Sequence, residues 1–144
     1  MKNLSDGAQP RVLVVDDEPG VVEALTEALA HWGYVVSTAQ DGLQALQQLK
    51  AARPHVVLLD INMPGMDGLE VLRRLRAFDP EVRVIMVSGQ SDDETRRTAL
   101  TLGAADYLQK PMRLHEVERS VARRFVMRVV RETLRPGENE HRQV

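Results

Sequence analysis

The sequence predicts an open α/β fold: a five-stranded parallel sheet, doubly wound, with helices on both faces. Three observations carry this. Five short apolar runs each precede a stretch with helical period. The strongest runs are rich in β-branched residues and do not alternate with polar ones, as expected of strands buried on both faces. The chain has 144 residues, enough for one domain of this kind, whereas an eight-stranded barrel takes about 250.

The first run is Val12-Leu13-Val14-Val15. Val21, Val22, Leu25, Leu29 and Trp32 follow at helical steps, and Pro19 suits the first turn, where its missing N–H is harmless. Tyr34-Val35-Val36 is a weaker second strand. Leu43, Leu46 and Leu49 then read as a helix before Pro54, and these leucines and Trp32 are expected in the core. The third run, Val56-Val57-Leu58-Leu59, leads into a loop shaped by Pro64 and Gly65. Asp67 or Gly68 stands near the next helix start, and Leu69, Leu72 and Leu75 mark the helix. Val84-Ile85-Met86-Val87 is the fourth run, and its helix carries Ala99, Leu100 and Leu102 and stops at Gly103. Tyr107-Leu108 is the weak fifth run, and Leu114, Val117, Val121 and Phe125 mark the last helix.

The expected division is a flexible N-terminus over 1–10, one domain over 11–126, and a helix extension with a polar tail over 127–144. With no cysteine, disulfides, thiolate zinc sites and cysteine nucleophiles are excluded. A net charge of −2 argues against a bulk electrostatic hold on nucleic acid or an anionic membrane. No apolar run approaches a membrane span or a signal core, so a cytoplasmic protein is expected.

Ligands of open α/β sheets bind beyond the carboxyl ends of the strands. Asp16, Asp17 and Glu18 follow the first run, Asp60 the third, Ser88 and Gly89 the fourth, and Gln109, Lys110 and Pro111 the fifth. Thr38 follows the second without obvious chemistry. Alone, each has a plainer reading: an aspartate as a turn former or helix cap, Ser88 as a cap for its helix, Lys110 as a solvated cation. Together they make a coherent set. Converging carboxylates raise one another's pKa or recruit a cation. An all-oxygen set favours Mg²⁺, and Ser88 and Lys110 suit the oxygens of a phosphoryl group. His31, His55, His115 and His141 are scattered away from this edge: two on helix surfaces, one at a strand entry, one in the tail.

Over roughly Arg11 to Phe125 the sequence resembles the receiver domain of two-component response regulators. The matching stretches are Val14-Val15-Asp16-Asp17-Glu18-Pro19, Leu59-Asp60-Ile61-Asn62-Met63-Pro64-Gly65-Met66-Asp67-Gly68, Val87-Ser88-Gly89 and Tyr107-Leu108-Gln109-Lys110-Pro111. The resemblance implies a flavodoxin-like sheet of strand order 2-1-3-4-5. It implies Asp60 as phospho-acceptor, with Ser88 and Lys110 meeting the phosphoryl group. Mg²⁺, or Mn²⁺ in its place, would be held by Asp17 directly, by Asp16 mainly through water, by Asp60 and by the backbone carbonyl of Asn62. Ser88 and Tyr107 would form the switch, and Lys110-Pro111 matches a position where the family commonly has a cis bond. Asn62 and Gln90 match positions that influence phosphoryl lifetime. The implied partners are a sensor histidine kinase or phosphotransfer protein and a downstream protein target or a missing output domain, without direct nucleic-acid or membrane binding. The domain would catalyse only its own phosphorylation and dephosphorylation.

Two other classes are weaker. A phosphohydrolase of the haloacid-dehalogenase type wants Asp-x-Asp after its first strand, whereas Asp16 and Asp17 are adjacent, and no GxxxxGK[ST] loop is present. A pure interaction module need not keep all these site residues. The last helix stays open. Between Arg113 and Arg135 stand seven arginines and three glutamates, which read as one solvated basic face. They read alternatively as a homodimer contact through the last strand–helix region, as a linker, or least of all as a nucleic-acid patch.

Overall fold

The computed structural model describes residues 9–89 and 92–133, with side chains described as far as residue 125. Five strands alternate with five helices: β1 Arg11–Val15, α1 Pro19–His31, β2 Val35–Ala39, α2 Gly42–Ala52, β3 Val56–Asp60, α3 Gly68–Phe78, β4 Arg83–Ser88, α4 Asp93–Thr101, β5 Asp106–Gln109 and α5 Leu114–Thr133. All strand pairs are parallel, in the order β2-β1-β3-β4-β5. This is the expected fold and the order that the resemblance implies.

The unbroken apolar runs have a direct cause. Successive strand side chains point to opposite faces, and both faces are covered. Leu13, Val15, Val57, Leu59, Val84 and Met86 pack with Ala45, Leu49, Val71, Leu72, Leu75 and Ala99 of α2, α3 and α4. Val12, Val14, Val56, Leu58 and Ile85 pack with Val22, Leu25, Leu29, Val117 and Val121 of α1 and α5. The weak second run is weak because β2 is an edge strand, with Val35 46% exposed.

Asp41, Asp67 and Asp92 cap α2, α3 and α4 by accepting from Gln44, Glu70 and Glu94 backbone N–H groups. Pro19 opens α1, as expected. The cap of α4 is Asp92, which corrects the alternative reading of Ser88 as that cap: Ser88 is the last residue of β4.

The expected leucine stripe of α2 needs correction. Leu49 is buried and Leu46 half-buried, but Leu43 is 63% exposed. Three-residue steps precess by about 60° each on a helix of 3.6 residues per turn. Leu43 and Leu49 therefore point about 120° apart, and the core takes Gly42, Ala45 and Leu49 instead. Leu100 and Leu114 are also exposed, while Trp32 is half-buried at the end of α1. His31 and His115 lie on helix surfaces; His55 precedes β3 and its Nδ1 accepts the Arg11 N–H at 3.0 Å. Helix α5 continues past residue 126 to Thr133. Residues 1–8, Gln90, Leu134, Arg135 and the tail with His141 lie outside the described residues.

Candidate functional site

The parallel sheet brings the carboxyl ends of β1, β3, β4 and β5 to one edge, with β1, β3 and β4 adjacent. Asp60 and Ser88 are the last residues of β3 and β4; Asp16 and Asp17 follow β1, and Lys110 follows β5. Backbone bonds tie these ends together. Ile61 N–H donates to the Val87 carbonyl at 2.9 Å, and Lys110 N–H to the Ser88 carbonyl at 2.8 Å. Beyond β3, Gly68 starts α3 hard against the strand: a Cβ there would collide with the Asp60 carbonyl and with Ile61 Cα. The Lys110-Pro111 peptide bond is cis.

Each of Asp16, Asp17 and Asp60 offers a carboxylate oxygen within 4.8 Å of the others. Asp16 and Asp60 are buried, whereas Asp17 is more open to solvent. Lys110 Nζ lies 2.9 Å from Asp16 Oδ2, 3.0 Å from Glu18 Oε1 and 3.6 Å from Asp60 Oδ2. Asp16 Oδ1 accepts the Glu18 N–H at 2.9 Å, and Asp60 Oδ1 accepts the Asn62 N–H at 3.2 Å. Ser88, also buried, donates from Oγ to Asn62 Oδ1 at 3.4 Å. Tyr107 is buried, with the Arg96 guanidinium 4.7 Å from its ring centroid.

Burial and the neighbouring Asp16 charge push the Asp60 carboxyl up to about 6, against the lowering effect of Lys110 and of the Asn62 N–H. Burial alone would depress Lys110, but its bonds to Asp16 and Glu18 and the charge of Asp60 outweigh that and raise its pKa. The lysine is an ammonium throughout the physiological range. The site is therefore rich in carboxylate oxygen, partly desolvated, and served, among the described residues, by a single ammonium. Such a set fits a hard divalent cation such as Mg²⁺.

The order and chemistry of these strand ends agree with a direct match. Residues 12–122 match the model of the response regulator receiver domain. The chain belongs to that family. Receiver domains are phospho-accepting signalling domains of two-component systems. Among its relatives, the transcriptional regulatory protein PrrA of Mycobacterium leprae is 46% identical over 110 residues, 76% of this chain and 47% of PrrA. The response regulator MprA of Mycobacterium ulcerans is 40% identical over 107 residues, 74% of this chain and 46% of MprA. This receiver thus spans about half the length of such relatives. Among solved structures, the CheX–CheY–BeF3–Mg²⁺ complex of Borrelia burgdorferi matches with a TM-score of 0.78 and 33% identity, over 84% of this chain and 92% of that one. Chemotaxis protein CheY4 of Vibrio cholerae matches with a TM-score of 0.77 and 30% identity, over 81% and 98%.

The structure of this receiver brings Asp16, Asp17, Asp60, Asn62, Ser88 and Lys110 together, while Tyr107 lies on β5 against Arg96. Two neighbours were not anticipated. Glu18 reaches Lys110 across 92 positions of sequence; its signal was an acidic residue standing where a helix cap belongs. Arg96 covers Tyr107, and no local pattern marks that pair. Among the described residues no helix is long and apolar enough to cross a membrane.

Proposed function

We propose that Asp60 is the phospho-acceptor of this receiver, working with Ser88 and Lys110. The observation that carries the reading is the convergence of the Asp16, Asp17 and Asp60 carboxylates beside the Lys110 ammonium. A carboxylate oxygen of Asp60 attacks the phosphorus of a phosphohistidine on a sensor kinase or phosphotransfer protein. The P–N bond breaks, its electron pair returns to the imidazole, and an acyl phosphate forms. Asp60 acts as its carboxylate, the form that offers a lone pair to phosphorus. Phosphoryl transfer needs positioning and charge neutralisation more than covalent help. Lys110 supplies one positive charge, and the Ser88 hydroxyl can turn from Asn62 toward the new oxygens.

Asp16, Asp17, Asp60 and the backbone carbonyl of Asn62 would hold Mg²⁺, or Mn²⁺ in its place. When bound, the cation offsets the negative charge of the phosphoryl oxygens. Ser88 and Tyr107 form the switch that changes protein–protein binding. The downstream element is a protein target or an output domain, and the setting is cytoplasmic. The domain over 11–126 acts on itself rather than turning over a free substrate. Among the described residues, Arg119 and Arg123 give α5 an exposed basic face, available to a linker or homodimer contact rather than to nucleic acid.

The test is intact mass after incubation with Mg²⁺ and a small phosphodonor, with and without chelator, beside Asp60→Asn. A metal-dependent gain of one phosphoryl group, lost in the variant, is expected. No gain from several donors, together with no binding of beryllofluoride, would overturn the reading.

A further inference from the structure

We infer that Glu18 is a positioning residue that holds Lys110 at the solvent rim of the site, in competition with Asp60 and with any phosphoryl group on it. The inference rests on the reading of Asp60 as acceptor.

Glu18 occupies the N-cap of α1, with φ −96° and ψ 111°, yet its side chain makes no capping bond. Helices prefer Ser, Thr, Asp or Asn there, whose short side chains reach back to the first turn. Helices α2, α3 and α4 each use an aspartate in that way. Glu18 instead sends its carboxylate across to Lys110 Nζ at 3.0 Å.

Both backbones are fixed. The Glu18 N–H is held by Asp16 Oδ1 at 2.9 Å, and its carbonyl accepts the Val21 and Val22 N–H groups at 3.0 and 3.1 Å. The Lys110 N–H is held by the Ser88 carbonyl. The ammonium is shared by three carboxylates. Asp16, buried, holds the ammonium at 2.9 Å. Glu18 pulls from the solvent side, its side chain 62% exposed, and Asp60 from the buried side, 4% exposed. The present balance favours Glu18, at 3.0 Å against 3.6 Å. Phosphorylation of Asp60 adds charge and acceptor oxygens on the inner side. The lysine must then loosen from Glu18 to meet them, so Glu18 weakens the hold on the phosphoryl group.

An exposed ion pair of this kind is small, and its release amounts to about a two- to five-fold change in an equilibrium. The test is calorimetric titration of beryllofluoride, a phosphoryl mimic, into the full chain at saturating Mg²⁺, for wild type, Glu18→Gln and Glu18→Asp. Glu18→Gln removes the charge. Glu18→Asp keeps the charge but is one methylene shorter and suited to capping α1. Both variants are expected to bind about two- to five-fold more tightly than wild type. Tighter binding by Glu18→Gln alone would reduce Glu18 to a background charge and overturn the inference, as would no change in either variant. If wild type binds no beryllofluoride, the reading of Asp60 fails and this inference with it.

Discussion

The N–H of Gly68 donates to the carbonyl of Ile61 at 2.9 Å, which seats the first turn of α3 directly behind Asp60. The seat has no room for a side chain, because a Cβ on Gly68 would overlap the Asp60 carbonyl and come within 2.7 Å of Ile61 Cα. Gly68→Ala should therefore destabilise the domain by about 2–3 kcal/mol through overpacking, although alanine is the better helix former. Gly20 in α1 has nothing within 4 Å of its would-be Cβ. Gly20→Ala should stabilise by about 0.5–1 kcal/mol. Urea unfolding of the two variants checks the opposite signs.

The Asp60 carboxyl gives the metal-free domain a pH-dependent weakness. Its pKa lies near 6 in the folded chain, above its ordinary value of 3.8. The folded state keeps this proton longer than the unfolded state does. Stability from this group is therefore full below about pH 4, falls as pH rises towards 6, and stays reduced above. Asp60→Asn, which cannot ionise, should stabilise the chelated protein at pH 7.5 by on the order of 2 kcal/mol. At pH 4 the difference should nearly vanish. Unfolding midpoints in chelator across pH 4–8 measure this, and a pH-independent gain would remove the titration of Asp60 as its cause.

Mg²⁺ should reverse the same weakness by binding the folded state. At tenfold excess over its dissociation constant a single-site ligand adds about 1.4 kcal/mol. Chelation should remove that gain, and Asp17→Asn should abolish most of it, since Asp17 belongs to the three-carboxylate cluster. Asp79→Asn, which changes an acid outside that cluster, should leave the gain intact. Thermal melts with and without Mg²⁺ separate the variants.

The strand ends were legible because a parallel sheet sends every strand the same way. Once the apolar runs were placed, Asp16, Asp60, Ser88 and Lys110 had to share one edge. The helix faces were less legible. Leu43 and Leu49 look equivalent in the sequence, yet six steps of about 100° set their directions about 120° apart, and only the packing of Met66 and Val71 over Gly42 shows which side is inward. The Glu18–Lys110 and Arg96–Tyr107 pairs were hidden for another reason. Each joins distant residues through long side chains whose direction no local periodicity records.

Lys110 touches Asp16 and Asp60 together, and its replacement by methionine separates charge from packing. Methionine keeps most of the stem. Lys110→Met leaves two buried carboxylates facing each other without their ammonium, a loss of about 3 kcal/mol for a buried pair with one partner removed. Lys110 normally lowers the pKa of Asp60, so in the variant that carboxyl should ionise above about 6. The folded state would then hold its proton to still higher pH, and the destabilisation should be larger at pH 7.5 than at pH 5. Mg²⁺ should restore more stability to the variant than to wild type, because it would replace the missing charge. Chemical unfolding at both pH values, with and without Mg²⁺, gives the four comparisons. An equal loss at pH 5 and 7.5, unchanged by Mg²⁺, would mean that Lys110 contributes through contacts of its methylenes and not through its charge.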